Sequence, residues 1–140
     1  MEQMVGSGPY DVLLRWGSGN GYRIPGTRET VSPPIYYHEM NHSLICISAR
    51  GVGLDCLRTF EILALGRCLV TDDFGFADEF VDGVHCLYFK TPEECVDKCQ
   101  WALVPDNANS IAAAGHSLFL DRHTPEKQAA RILAAAGFSQ

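Results

Sequence analysis

Three apolar runs of strand length lie in the middle of the chain: "LICISA" (44–49), "CLVTD" (68–72) and "CLYF" (86–89). Apolar residues follow one another in these runs instead of alternating with polar ones, a pattern typical of strands buried on both faces of a parallel sheet. Segments of helical length separate the runs. The pattern therefore predicts a three-layer α/β domain with a mostly parallel sheet.

Helix boundaries are predicted from local signals. A helix over about 55–65 ends at Gly66, and a short one is expected within 35–43. "TPEE" (91–94) and "TPEK" (124–127) each place a capping threonine before a proline suited to the first helical position. Further helical segments are expected after 91, over about 109–120, and from 125 to about 136.

The N-terminal third is rich in glycine and proline and predicts turns. We expect residues 1–34 to form a turn-rich segment with one short strand, over about 11–17, followed by a glycine-rich loop. Residues 35–140 are expected to form the α/β domain.

Composition narrows the function classes. The 140 residues carry a net charge of −6, which argues against a nucleic-acid surface, since such surfaces are usually basic. No apolar run approaches a membrane span, and the first residues lack the layout of a secretion signal, so a cytoplasmic location is expected. The six cysteines lie mostly in apolar runs, which favours buried thiols in a reducing compartment over a disulfide framework or zinc site.

The segment "RGVGLDCLRTFEILALG" (50–66) carries three charges at three-residue intervals. On a helix, Asp55, Arg58 and Glu61 fall within a sector of roughly 120°. The side expected to face the sheet holds Cys56, Leu57, Phe60, Leu63 and Ala64.

Two interpretations of these charges compete. One is an exposed Arg58–Glu61 ion pair behind an Asp55 N-cap. The other is a clamp for a nucleotide diphosphate, in which loop amides and Arg58 hold phosphate and Glu61 accepts hydrogen bonds from ribose.

A wider set of motifs bears on this choice. Seven features follow one another in order over about 43–133: the Arg-x-Phe-Glu helix, the "LVTDD" strand end, Glu79, Gly83, the "TPEE" helix, the "AAAG" helix and "RHT". This set resembles the C-terminal half of group-1-type glycosyltransferases of GT-B architecture, in the variety seen in spore-maturation and exostosin-like proteins. The resemblance implies one Rossmann-like, nucleotide-sugar-binding half of a GT-B fold.

Site residues follow from that resemblance. It implies that Glu61 binds the donor ribose and that the loop from Arg50 to Gly53 lies against the diphosphate. The donor-binding set implied is Glu61, Arg50, Gly51, Gly53 and Thr59, and the catalytic pair is Arg58 and Asp55. No cofactor or metal is expected, and an N-terminal acceptor-binding domain or partner chain is the expected partner.

Two other functions stay open at this point. Many retaining members of the resembled family carry a sugar-contacting glutamate where this chain has Gly53, which favours a non-catalytic nucleotide- or sugar-binding module. A receiver-like regulator would instead be phosphorylated at Asp72 or Asp73.

Overall fold

The fold was analysed on a computed structural model that describes residues 16–18, 21–23, 30–49, 56–72 and 79–138. The chain divides into two compact units, Met1–His42 and Ser43–Gln140. The boundary expected after residue 34 falls inside the first unit, and the expected domain organisation stays a prediction.

The first unit contains three short antiparallel strands and one helix. Strands β1 (Trp16–Ser18), β2 (Gly21–Arg23) and β3 (Thr30–Val31) pair in the order β1-β2-β3, and α1 spans Pro33–His42. The expectation of one short strand followed by a glycine-rich loop is therefore wrong, because Ser18, Gly21 and Tyr22 of that loop belong to β1 and β2. Antiparallel pairing satisfies the backbone groups of such short polar segments, which hydrophobic periodicity does not detect. The expected strand residues 11–15 lie outside the described part of the chain.

The second unit is built on a three-stranded parallel sheet. Its strands β4 (Ile45–Ser48), β5 (Cys68–Thr71) and β6 (Leu87–Tyr88) occur in the order β4-β5-β6. All four residues of β5 are buried, as expected for a central strand covered on both faces. The predicted α/β class with one Rossmann-like domain is confirmed.

Helices α2 (Leu57–Ala64), α3 (Pro92–Ala102) and α4 (Pro105–Arg122) pack on this sheet, and α5 (Pro125–Ala135) packs against α4. The predicted threonine caps are confirmed, because Thr91 accepts a hydrogen bond from the Glu94 amide at 3.2 Å and Thr124 accepts one from the Lys127 amide at 3.4 Å. Helix α4 begins at Pro105, four positions before the predicted start, since a proline suits the first position of a helix.

The two faces of β5 bury different sets of residues. Cys68 and Val70 belong to an apolar cluster with Leu87, Ala102, Ala108 and Ile111, which joins the sheet to α3 and the first half of α4. Alternation along the strand directs Leu69 and Thr71 to the opposite face, which α2 covers.

The second half of α4 reaches α2 by passing the amino ends of the strands. Gly115 makes this passage possible, since a Cβ at that position would lie 2.4 Å from the carbonyl oxygen of His85, just before β6. At the end of α2, Gly66 adopts the left-handed conformation (φ 63°), and its amide donates to the Leu63 carbonyl at 3.1 Å. Gly66 therefore ends the helix as predicted.

All six cysteines are free thiols. Burial raises the pKa of Cys68 to about 11 and that of Cys86 to about 12, so both thiols are protonated at neutral pH. Within the residues that the structure describes, no helix combines the length and apolarity needed to cross a membrane.

Candidate functional site

Buried hydroxyl groups join the ends of two parallel strands at what we call the carboxyl edge of the sheet, where β4 ends at Ser48 and β5 ends at Thr71. The Thr71 hydroxyl donates to the Ser48 carbonyl oxygen at 2.7 Å, and both residues are 1% exposed. Ligands of open α/β sheets bind beyond this edge, where loops meet helix N-termini. The two strand ends thus form a rigid base for any such site.

The first turn of α2 is attached to this base. The hydroxyls of Ser48 and Thr59 lie 3.1 Å apart, and Thr59 is 1% exposed. Since Thr59 is the third residue of α2, its contact with Ser48 fixes the N-terminal turn of the helix over the strand ends. A buried hydroxyl needs such a partner, because an unsatisfied one is costly.

The face of α2 that packs on the sheet differs from the predicted one. Thr59, Ile62 and Leu63 are buried, whereas Leu57 is 74% exposed and Ala64 is exposed as well. The prediction that Leu57 and Ala64 face the sheet is therefore wrong. The buried face combines two apolar side chains, Ile62 and Leu63, with the Thr59 hydroxyl that meets Ser48.

Two of the three charged residues of the stripe are described, and both lie outside the buried face. Arg58 and Glu61 are half-buried. The N-cap of α2 is Cys56, without a side-chain capping bond, so the alternative in which Asp55 is the N-cap is wrong. The remaining predicted site residues, Arg50, Gly51, Gly53 and Asp55, lie outside the described part of the chain.

A second polar cluster, which the sequence did not predict, surrounds the end of α4. His123 is 4% exposed, and its Nε2 atom lies 2.9 Å from Oε2 of Glu79. The other carboxylate oxygen of Glu79 accepts a hydrogen bond from Arg131 at 3.2 Å. In the sequence, Glu79 and "RHT" stand out only as members of an ordered set of motifs. No sequence signal indicates that their side chains are in contact.

Burial lowers the pKa of His123 below its ordinary value of 6.5. The Glu79 carboxylate opposes this effect, while Arg131 and Arg122 add to it. His123 is therefore neutral at physiological pH. Its ring packs between two phenylalanines, with centroids 5.7 Å from Phe60 and 5.0 Å from Phe80.

Glu79 also lines an open surface pocket of about 530 Å³, whose other described lining residues belong to α4 and α5. Of the predicted site residues that the structure describes, Arg58, Thr59 and Glu61, none lines this pocket. In the part of the chain that the structure describes, no group of three or more histidine, cysteine, aspartate or glutamate residues has an arrangement suited to a metal ion.

Comparison with known proteins adds one finding. A sequence profile described as glycosyl transferase-like matches residues 4–134, which is nearly the whole chain. No curated protein and no solved structure gives a significant match.

Proposed function

The chain belongs to the glycosyl transferase-like family, and from that premise we propose that it binds a nucleotide-sugar donor for glycosyl transfer. The donor would lie beyond the carboxyl edge of the parallel sheet, at the start of α2. The observation that carries this proposal is the attachment of the first turn of α2, through Thr59, to Ser48 at the end of β4, which Thr71 in turn joins to the end of β5.

The attachment matters because donor binding depends on fixed geometry. A helix N-terminus presents free backbone N–H groups and a partial positive charge, which suit the diphosphate of a nucleotide sugar. Holding that terminus rigidly means that little conformational entropy is lost when the donor binds.

Two half-buried side chains of α2 supply the specific contacts in this proposal. Arg58 neutralises charge on the diphosphate, which grows as the sugar departs, and Glu61 accepts hydrogen bonds from the ribose hydroxyls. The loop with Arg50, Gly51 and Gly53 brings backbone amides to the phosphates, and Asp55 assists at the reacting centre. Thr59 fixes the position of this turn of α2, since its hydroxyl contacts the Ser48 hydroxyl.

We further propose that the chain corresponds to the donor-binding half of a GT-B enzyme of the spore-maturation or exostosin-like variety. A second domain, or a partner chain, would bind the acceptor and close the cleft. The proposal requires no metal ion or cofactor. Six free cysteines fit a reducing compartment such as the cytoplasm.

Calorimetric titration of the chain with UDP, GDP and their sugar conjugates tests donor binding. We expect one of these nucleotides to bind, and expect Glu61→Gln and Arg58→Met each to weaken binding by about tenfold or more, because each removes a charge-assisted hydrogen bond. The matched controls are Asp97→Asn and Lys90→Met, which remove the same charges from exposed positions on or just before α3. Absence of binding to the folded chain, or equal losses in variants and controls, would contradict the proposal.

A second candidate is a binding module without transfer activity. It is favoured by Gly53, which stands where many retaining members of the resembled group carry a glutamate that contacts the sugar. Donor hydrolysis and sugar transfer are measured on the full chain alone and again with any separately encoded acceptor-binding domain. Turnover in either arrangement contradicts the module, and nucleotide binding without turnover in both supports it.

A further inference from the structure

Helix α4 and its C-cap residue, His123, contact α2 through two histidines on one side. The Nδ1 atom of His116 lies 2.8 Å from the Leu63 carbonyl oxygen in the last turn of α2, and the ring of His123 packs against Phe60 near its middle. A separation of seven residues is two helical turns, so both histidines project from α4 in nearly the same direction. Helix α2 is thus held by α4 on one side and by Ser48 on another.

The orientation of the His123 ring is determined by its two polar neighbours. The amide nitrogen of Gln128 lies 3.1 Å from Nδ1 of His123 and can only donate, so Nδ1 accepts. The ring proton is then on Nε2, which lies 2.9 Å from the Glu79 carboxylate. Gln128 thereby defines the tautomer, and the Glu79 carboxylate attracts the edge of the ring that carries the proton.

We propose that His123 is a positioning residue for the donor site: its ring, oriented by Glu79 and Gln128, holds Phe60 and thereby sets the places of Arg58 and Glu61 on α2. This inference rests on the proposed function. Phe60 lies between Thr59 and Glu61 in the sequence, so a displacement of its ring moves the turn of α2 that carries the donor contacts.

Protonation of His123 disturbs this arrangement. A proton on Nδ1 faces the amide hydrogens of Gln128, so two donors oppose each other until the amide turns or the ring moves. Three charged groups surround His123. Glu79 lies 2.9 Å from its Nε2 atom, Arg131 forms an ion pair with Glu79, and Arg122 lies at the end of α4. On the α2 side the neighbouring group is the uncharged ring of Phe60. His116, the other histidine that contacts α2, donates from Nδ1 to the Leu63 carbonyl oxygen, one turn beyond Phe60.

The test is a pH titration of the full chain followed by NMR, from about pH 8 to about pH 5, a range that brackets the ordinary pKa of histidine. We expect the backbone amide signals of residues 58–61 to shift with the same midpoint as the His123 ring signals. Calorimetry with UDP and GDP over the same range should show affinity falling severalfold below that midpoint.

Two variants assign the effect. His123→Phe retains a ring against Phe60 but has no titrating group, so the shift of the α2 signals should disappear, and the affinity should keep only the pH dependence that comes from the terminal phosphate of the nucleotide. His116→Gln, the matched control, removes the other histidine that touches α2 and should leave both effects in place.

The outcomes separate this inference from the proposed function. Amide signals of α2 that do not follow His123 overturn the inference, and this result needs no variant to fold. Nucleotide affinity that is independent of His123 protonation overturns it as well while leaving donor binding intact. Signals of α2 that follow His123 in a chain that binds neither UDP nor GDP support positioning of α2 and contradict the proposed function.

Discussion

The hydroxyl of Ser48 lies 3.1 Å from the hydroxyl of Thr59, so the last residue of β4 is joined to the first turn of α2. Both side chains are buried, and Thr71 of the neighbouring strand donates to the Ser48 carbonyl oxygen. This polar contact lies on the same face of α2 as the buried side chains of Ile62 and Leu63.

Replacing Thr59 by valine tests this contact. Thr59→Val keeps the shape of the side chain but leaves the Ser48 hydroxyl without this partner, so we expect the free energy of unfolding to fall by about 1–2 kcal/mol in urea denaturation. The double variant Thr59→Val/Ser48→Ala should lose less free energy of unfolding than the two single variants lose together, because Ser48→Ala then removes a hydroxyl that has already lost its Thr59 partner. The exposed Ser117→Ala serves as the control and should change stability little. Strict additivity would argue against a Ser48–Thr59 bond.

Gly115→Ala should destabilise the chain although alanine is the better helix former. Helix propensity alone predicts a gain of about 1 kcal/mol. The added Cβ would, however, meet the backbone carbonyl oxygen of His85 at 2.4 Å, so α4 must move away from the start of β6. Overpacking of this kind typically costs about 1–3 kcal/mol, so the variant should unfold at a lower temperature and at a lower urea concentration than the wild type. A stabilised variant would mean that α4 does not pass so close to His85.

Stability should fall as the pH drops below the ordinary histidine pKa, and His123 should account for part of the fall. Because burial lowers the pKa of His123 in the folded state, the unfolded chain takes up its proton first as the pH falls. The contribution of His123 is therefore complete above about pH 6.5 and is lost below it. Urea midpoints measured between about pH 8 and pH 5 should decline less steeply in His123→Phe than in the wild type. Equal slopes would show that His123 titrates alike in both states.

Cys68 and Cys86 should resist alkylation while the chain is folded. With a pKa of about 12, only about one Cys86 molecule in ten thousand is a thiolate at about pH 8, and both side chains are fully buried. Iodoacetamide followed by mass spectrometry of peptides should find these two thiols unmodified under native conditions and modified in denaturant. Modification of Cys86 at the same rate in both conditions would contradict its burial.

Much of the candidate site follows from local sequence, and part of it does not. That Arg58 and Glu61 lie outside the buried face of α2 could be predicted from their spacing in the segment. That Thr59 is buried and Leu57 exposed could not, because the decisive partner, Ser48, lies in another element. The contact between Glu79 and His123 joins residues even farther apart in the sequence, and no spacing within either segment indicates it.

The sequence by itself determined the elements of the second unit. Apolar runs of strand length specify β4, β5 and β6, and Thr91 and Thr124 specify where α3 and α5 begin, because these signals act through neighbours within a few residues. The tertiary structure alone decided which side of α2 meets the sheet and which residues surround His123. Those choices depend on partners that only the packed chain brings together, and a buried hydroxyl or imidazole is stable only where such a partner is present.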